Sequence, residues 1–148
     1  MYEELVEELL FIFATNKPPV KPDVIACALG LKIVFSPLIN VSGFIHSYKG
    51  SHHIILNSND SLVRQRFTIA HELGHFFLHD KSTSFLSIEE GDKKKEREAN
   101  KFAGTLLLPY ILLKNYLHLP HYILCHLFIV SKKTLEIRLE DLRKERKI

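Results

Sequence analysis

The sequence of 148 residues lacks the features of a membrane or secreted protein. No apolar run approaches the roughly 18 residues that cross a bilayer, because His and Pro interrupt the longest candidate at residues 117–130. The N-terminus has no basic flank before an apolar core, so a signal peptide is not indicated. Cys27 and Cys125 are too few and too far apart for a disulfide framework or a cysteine zinc site. These absences predict a cytoplasmic protein.

The sequence also has little excess charge of either sign. With a net charge of +3, the long basic face of a strong nucleic-acid binder is not expected. No internal repeat or low-complexity segment is present. The length corresponds to one domain, able to bury ~68–70% of its unfolded surface, so the core does not need a metal in order to form.

The most informative motif is His71-Glu72-Leu73-Gly74-His75. On a helix, residues i and i+4 lie one above the other with Cβ atoms roughly 5–6 Å apart, so both imidazoles can reach one metal ion. Glu72 points about 100° away around the axis, where it can act on water without occupying the metal. The motif predicts a hydrolytic metal site with Glu72 as the general base.

The residues around the motif favour a buried helix. Residues 62–70 have a helical pattern, and residues 59–61 offer Asn, Asp and Ser as N-caps. Apolar residues recur at helical spacing and give the helix one side to bury. They are Phe67, Ala70, Leu73 and Phe77.

A third ligand is required, since catalytic zinc takes three protein groups and leaves one position for water. His79 lies about 12 Å from His71 along a straight helix, which predicts a structural or ligand-orienting role for His79. The pattern favours Glu98, on a helix that ends before Pro109 and could present Asn100 to orient a ligand. Glu96 is the alternative, although neighbouring Lys and Arg residues suggest a solvated face. The apolar stripe of this helix is Ala99, Phe102, Ala103 and Leu106.

Two extended motifs resemble one known family. Residues 66–79 and residues 98–103, the latter followed by Leu107-Leu108-Pro109, are similar to the ImmA/IrrE family of zinc metallopeptidases. Residues 23–31 resemble its helix leading into the first strand, and residues 130–139 resemble its C-terminal helical segment. The resemblance covers most of the chain, but the two motifs carry nearly all of its weight.

The resemblance implies that His71, His75 and Glu98 bind one Zn²⁺, with Mn²⁺ as an alternative, and that Glu72 is catalytic. It also implies an endopeptidase that cleaves a helix-turn-helix DNA-binding repressor, as an anti-repressor of a mobile element or a stress response. A further donor should stabilise the oxyanion. The candidates are Tyr48, His52, His53 and Tyr110.

The coarse pattern predicts an α+β, zincin-like fold in which a small antiparallel three-stranded sheet packs against the metal-binding helices. An edge strand between residues 41 and 57 is expected to bind the substrate backbone. The predicted elements are a helix at 2–13, a short helix from 23 to Gly30, strands at 31–35, 41–46 and 53–57, a turn at 48–51, and helices from 60 almost to the end.

The C-terminal segment resembles a helix-turn-helix. A helix at 120–128, a turn at 129–131 with Ser131 as N-cap and a helix at 132–147 are predicted, the last with seven basic and four acidic residues. We expect a metallopeptidase domain at 1–115 and this segment, 116–148, packed on it or docking the substrate. The alternative function is a DNA- or partner-binding regulator whose metal is a sensor or structural element, but Glu72 favours the enzyme. No oligomeric state is indicated.

Overall fold

The computed structural model describes residues 2–79 and 92–148, and this part of the chain forms seven helices and three strands. In chain order the elements are α1 (Glu3–Ile12), α2 (Pro22–Ala28), β1 (Leu31–Ser36), β2 (Gly43–Tyr48), β3 (Ser51–Asn57), α3 (Leu62–Leu78), α4 (Asp92–Leu107), α5 (Tyr110–Leu113), α6 (His121–Phe128) and α7 (Lys132–Lys144). The predicted α+β class is therefore confirmed. The helical pattern predicted after residue 60 includes residues 80–91, which lie outside the described residues. Across the described ranges, no helix combines the length and the apolar character that crossing a membrane requires.

The chain divides into two compact units. One unit is Lys21–Ala103, and the other combines Met1–Val20 with Gly104–Ile148, so the division falls within α4. The sheet and the histidine motif both belong to the first unit. The expected domain boundary between residues 115 and 116 stays a prediction.

The sheet is mixed, with the strand order β1-β3-β2. β2 and β3 are antiparallel and joined by Lys49 and Gly50, both with positive φ, in agreement with the predicted hairpin turn. β1 pairs with β3 in parallel, which corrects the expected antiparallel sheet. The reason is that residues 37–42 lead the chain past the position of β3, and β3 then returns between the two earlier strands. β3 is therefore central, and β1 and β2 form the edges.

The buried face of the sheet packs against α3. Ile54 and Leu56 alternate on β3 and are fully buried, as the period of two in a strand requires. On β2, a Cβ at Gly43 would lie 2.5 Å from the carbonyl oxygen of Ile55 and 2.8 Å from Cγ2 of Thr68. Only glycine fits there, so the edge strand can approach the helix that carries the histidine motif.

One side chain fixes the crossover between β1 and β2. The Asn57 amide donates to the carbonyl oxygens of Leu38 and Val41, at 3.2 and 3.0 Å. Its Oδ1 accepts from the backbone N–H groups of Leu38 and Asn59, at 3.2 and 3.0 Å. Asn57 is buried, and four hydrogen bonds use the donor and acceptor capacity of its amide.

The cap of α3 agrees with the sequence. Ser61 is the N-cap, and its side chain accepts a hydrogen bond from the N–H of Arg64 at 3.2 Å. α3 then continues to Leu78, and His79 is the C-cap with an extended backbone. The histidine motif therefore lies on a continuous helix.

The second unit contains α1 and the C-terminal helices. Ser131 caps α7 by accepting from the N–H of Thr134 at 3.1 Å, as predicted, and Ile129 makes the turn with a positive φ. Arg138 is buried, donates from Nε to the carbonyl oxygen of Leu108 at 2.9 Å and pairs through Nη2 with the Glu3 carboxylate. α6 and α7 form the predicted helix-turn-helix arrangement.

Candidate metal centre

His71 and His75 lie one turn apart on α3. Their ring centroids are 4.8 Å apart and their planes are nearly perpendicular, at 80°. Their side chains are 14% and 22% exposed, so both are shielded but accessible from solvent. Glu72, between them in sequence, is buried. The structure therefore brings the two predicted histidines together with the predicted carboxylate nearby.

The carboxylate that joins the two rings belongs to Glu96. Its Oε2 lies 2.9 Å from Nε2 of His71, and its Oε1 lies 2.7 Å from Nε2 of His75. Ligand atoms of the three residues all lie within 4.8 Å of one another. Glu98, the carboxylate expected from the sequence, lies instead 3.6 Å from Nε2 of His79.

Helix geometry explains why Glu96 and Glu98 have different surroundings. Two residues apart on a helix means about 200° around the axis, so their side chains point to different sides of α4. Glu96 and Asn100 are four residues apart and share one side. Lys94, Lys95 and Arg97 are one or two residues from Glu96, so they point about 100–200° away from it around α4 and can remain solvated. The signal that identifies Glu96 is thus its i, i+4 spacing to Asn100.

Gly74 lets α4 approach the histidines. A Cβ at Gly74 would lie 3.0 Å from Cα and 3.1 Å from the carbonyl oxygen of Ala99, and 3.2 Å from Cβ of Phe102. Close to this contact, the rings of Phe77 and Phe102 pack with centroids 5.8 Å apart. A glycine on one helix and an alanine on the other therefore permit the close helix contact that brings Glu96 to the two imidazoles.

Nδ1 of His71 and Nδ1 of His75 each have a hydrogen-bond partner. Nδ1 of His71 lies 2.7 Å from Oδ1 of Asn100, and Nδ1 of His75 lies 2.9 Å from Nδ1 of His79. An amide oxygen only accepts, so the proton of this hydrogen bond is on Nδ1 of His71. A metal would consequently be bound through Nε2, the atom that faces Glu96. Asn100 has the orienting position expected from the sequence.

Charge and burial shift the pKa values in the cluster. Burial raises the pKa of Glu72 to about 7, against the opposing effect of the two histidines. Hydrogen bonds from His71 and His75 hold the pKa of Glu96 well below its usual range. Burial alone would lower the pKa of His71, but the hydrogen bond to Glu96 and the charges of Glu72 and Glu96 together raise it. For His79, burial and then the charge of His75 lower the pKa.

These residues fit a divalent cation. Two imidazole nitrogens and one carboxylate oxygen are the donor set of the His₂Glu class of catalytic zinc sites. The short contacts of Glu96 with Nε2 of His71 and of His75 occupy the position where a cation would lie. The side chain of Glu96 is 54% exposed, so the cluster opens towards solvent on that side.

The expected oxyanion donors have diverse surroundings. His52 Nδ1 and Ser47 Oγ lie 2.6 Å apart, and the His52 ring meets Phe76 of α3 edge-on at 6.3 Å. Tyr48 is exposed at the end of β2, and Tyr110, in the other unit, donates its hydroxyl proton to the carbonyl oxygen of Lys147 at 3.1 Å. His53, on β3, remains a candidate without an assigned role.

Comparison with known protein families is consistent with this geometry. Residues 26–140 match the profile of the Peptidase M78 family, described as the IrrE N-terminal-like domain. The chain belongs to this family. The resemblance to ImmA and IrrE expected from the two motifs is thereby confirmed. The family profile includes α3 and α4 and hence all the residues of the cluster.

Curated relatives of this M78 chain include two named metallopeptidases. Metallopeptidase ImmA of Bacillus subtilis (strain 168) is 33% identical over 79 residues, 51% of this chain and 47% of that protein. The radiation response metalloprotease IrrE of Deinococcus deserti is 38% identical over 95 residues, 60% of this chain and 33% of that protein. An uncharacterized immunity region protein 2 of Bacillus phage phi105 is 35% identical over 79 residues, 51% and 50% of the two chains. The matched regions therefore span half or less of each relative's length.

The fold of this M78 chain is also found among solved structures. A Mycobacterium tuberculosis transcriptional regulator superposes with a TM-score of 0.65 at 17% sequence identity, over 89% of this chain and 44% of that one. At this identity the similarity concerns the fold. It agrees with the expected zincin-like α+β architecture.

Proposed function

We propose that this protein is a zinc-dependent endopeptidase that cleaves a DNA-binding repressor. The observation that carries the proposal is the convergence of His71, His75 and Glu96 beside the buried carboxylate of Glu72. Membership of the Peptidase M78 family and the names of two metallopeptidase relatives support the reaction class.

His71, His75 and Glu96 would hold the cation. The donor set favours zinc, and manganese is the alternative because one ligand is a carboxylate. When bound, the cation supplies a Lewis acid that polarises the scissile carbonyl and lowers the pKa of water. Asn100 holds the ring of His71 with its Nε2 towards the centre. We assign Glu96 rather than Glu98 as the third ligand because both oxygens of Glu96 lie within 3 Å of an imidazole Nε2.

Glu72 would act as the general base. Its pKa of about 7 in the metal-free protein is close to the value that lets a carboxylate both accept and return a proton near neutral pH. It would accept a proton from the attacking water and donate it to the leaving amine. Burial keeps Glu72 away from competing water.

The substrate backbone would bind along β2. This strand is at an edge of the sheet, and Gly43 lets it lie against α3. An extended peptide can add to such an edge through main-chain hydrogen bonds. Binding of this kind requires an extended or unfolded stretch in the substrate and excludes most folded proteins.

A helix-turn-helix repressor is the proposed substrate, and the cytoplasm is the proposed location. One relative is named as a phage immunity region protein, which supports a role in controlling a mobile element. Cys27 and Cys125 are both free thiols, as a reducing compartment permits.

The alternative function, direct binding of DNA through α7, has less support. Of the basic residues from Lys132 onward, Arg138 is buried against Glu3. Lys132 and Lys144 each pair with a glutamate one turn away, at 3.8 and 3.3 Å. The positive charge available to phosphate groups is therefore smaller than the composition indicates. Docking of a protein partner remains the better use of these helices.

The proposal is tested by comparing wild type with Glu72→Gln. Zinc content is measured by atomic emission, and cleavage is measured on the helix-turn-helix repressor encoded nearest to this protein's gene. We expect equal metal content and a loss of cleavage of at least about 1,000-fold, because the general base is removed while the ligands remain. Equal cleavage by the two proteins would refute the mechanism, and an absence of bound metal in wild type would refute the metal site.

A further inference from the structure

His79 is the C-cap of α3, and its ring contacts the ring of His75 in the metal cluster. Its backbone is extended, with φ −126° and ψ 162°, while its N–H still bonds to the carbonyl oxygen of His75 at 3.0 Å. The two ring centroids are 5.0 Å apart, and their Nδ1 atoms are 2.9 Å apart. The side chain of His79 is only 8% exposed. This is a defined contact, since burial and hydrogen bonding together restrict the ring.

The contact constrains which nitrogens carry protons. A hydrogen bond between two Nδ1 atoms needs one donor and one acceptor. When Nε2 of His75 gives its lone pair to a cation, the single proton of this neutral imidazole must be on Nδ1. His75 is then the donor and His79 the acceptor. It follows that neutral His79 carries its own proton on Nε2.

The Nε2 of His79 faces a carboxylate. This atom is buried and has no hydrogen-bond partner within residues 2–79 and 92–148. Oε1 of Glu98 lies 3.6 Å from this atom, and the side chain of Glu98 is 37% exposed. A small rotation of Glu98 would bring this oxygen within hydrogen-bond distance of the N–H that the proton count requires. The three groups are thus arranged in the order His75, His79, Glu98.

We propose that His79 is a positioning residue that holds His75 in its metal-binding tautomer, and that Glu98 orients His79. The inference rests on the metal site of the proposed function. The two nearby carboxylates then have different roles. Glu96 contacts Nε2 of His71 and of His75, whereas Glu98 lies 3.6 Å from Nε2 of His79. His71 has a simpler support, the amide of Asn100. Each of the two metal-binding histidines therefore has a hydrogen-bond partner on its Nδ1, Asn100 for His71 and His79 for His75.

Metal affinity tests the role of His79. Zinc dissociation constants are measured by competition with a chromophoric chelator for wild type, His79→Phe and His79→Asn. We expect His79→Phe, which keeps a ring but has no acceptor, to bind zinc 10–100-fold more weakly. His79→Asn offers Oδ1 near the position of Nδ1 and should recover affinity to within about threefold of wild type. His121→Phe, the same replacement at an exposed residue in the other unit, is the matched control and should bind as wild type does.

Glu98 is tested in the same assay. Glu98→Gln keeps an oxygen that can accept from Nε2 of His79 and should bind zinc nearly as wild type does. Glu98→Leu should weaken binding several-fold, by less than the effect of His79→Phe, because Glu98 acts through His79. A merely structural role would make the two Glu98 variants alike in affinity.

The tautomers are measured directly on the wild-type protein. In long-range ¹H–¹⁵N correlation spectra of the zinc-loaded protein, we expect His75 to carry its proton on Nδ1 and His79 on Nε2. The His79 signals are assigned from their absence in His79→Asn. This measurement does not depend on the folding of any histidine-to-phenylalanine variant.

Each outcome has a distinct meaning. If wild type binds zinc but His79→Phe binds it equally well, or if His79 carries its proton on Nδ1, the positioning role is wrong and the metal site stands. If wild type binds no zinc, or if Glu96→Ala leaves its affinity unchanged, the proposed metal site itself fails. The inference is supported if His79→Phe binds zinc weakly, His79→Asn recovers zinc affinity, and the proton is on Nδ1 in His75 and on Nε2 in His79.

Discussion

Gly74 on α3 and Ala99 on α4 touch so closely that a Cβ on the glycine would lie 3.0 Å from the alanine Cα. Two of the three closest atoms belong to the backbone of Ala99 and cannot rotate aside, and the third is Cβ of Phe102, whose position the backbone also fixes. We expect Gly74→Ala to move α4 by a few tenths of an ångström and to lower zinc affinity several-fold, because this shift approaches the roughly 0.5 Å within which a metal site must be held. Isothermal titration of the metal-free protein with zinc measures this effect.

Gly104→Ala is the matched control for that substitution. A Cβ at Gly104, also in a helix, would meet no atom of the described structure within 4 Å. Alanine there should stabilise the protein by up to about 1 kcal/mol through helix propensity and leave zinc affinity unchanged. Equal zinc affinity in both alanine variants would contradict the importance of the helix contact.

The two candidate carboxylates give different predictions for metal content. Glu96→Ala removes a direct ligand and should reduce bound zinc after dialysis to less than about a tenth of wild type. Glu98→Ala should retain most of its zinc, because its effect passes through His79. Inductively coupled plasma emission on the two purified variants distinguishes them. The reverse order would return the ligand assignment to Glu98.

The metal-free protein should lose stability as pH rises from about 5 to 8. The folded pKa of Glu72 is raised from 4.5 to about 7, so the folded state retains a proton that the unfolded state releases in this window. Fewer protons on the unfolded state give stability a negative slope with pH. The raised pKa of His71 acts in the same direction, since the stabilisation from its charged form is lost as pH passes its folded pKa. The Glu72 contribution is roughly 3 kcal/mol.

Glu72→Gln should flatten this slope, as urea unfolding of the metal-free protein at pH 5, 6, 7 and 8 will measure. Glu96 acts at the other end of the range: its lowered pKa contributes stability above about pH 4.5 that is lost as pH falls. The metal-free protein should therefore be most stable in mildly acidic buffer. A slope in Glu72→Gln as steep as in wild type would show that burial of this carboxylate is not its cause.

The buried pair of Arg138 and Glu3 predicts a stability effect in the other unit. Arg138→Met leaves the Glu3 carboxylate, 13% exposed, without its cation and should cost about 3–5 kcal/mol. Adding Glu3→Leu to Arg138→Met should recover much of that loss, because no buried charge is then left unpaired. Thermal and urea unfolding of the single and double variants measure both effects.

The control for the buried pair is an exposed one. Lys144→Met removes the cation from Glu140, which lies 3.3 Å away with both side chains largely solvated. Its cost should remain within about 0.5 kcal/mol. If Lys144→Met and Arg138→Met lowered the free energy of unfolding equally, burial would not explain the contribution of the Arg138–Glu3 pair to stability.

The sequence predicted the motif helix and its cap because both depend on neighbours in the chain. The spacing of His71 and His75 and the cap at Ser61 are local properties, and the structure has them as expected. Strand positions were also predicted within a few residues. The parallel pairing of β1 with β3 was not, since strand order depends on the path of residues 37–42 and not on the pattern within each strand.

The choice between Glu96 and Glu98 needed the packing of two helices. Both carboxylates precede the same apolar stripe, and the charges next to Glu96 gave it the character of a solvated residue. What decides is which side of α4 faces α3, and that is set by the contact between Gly74 and Ala99. The i, i+4 spacing of Glu96 and Asn100 is visible in the sequence. Only the contact between Gly74 and Ala99 shows that this side of α4 faces the histidines.

Because His71 and His75 lie on α3 and Glu96 lies on α4, neither helix alone contains this cation-binding set. A synthetic peptide bearing only the histidine motif should hold zinc weakly, and an unfolded chain should release it. Saturating cation would therefore act as a cross-link between α3 and α4, adding about 2.7 kcal/mol to the free energy of unfolding at a hundred times its dissociation constant.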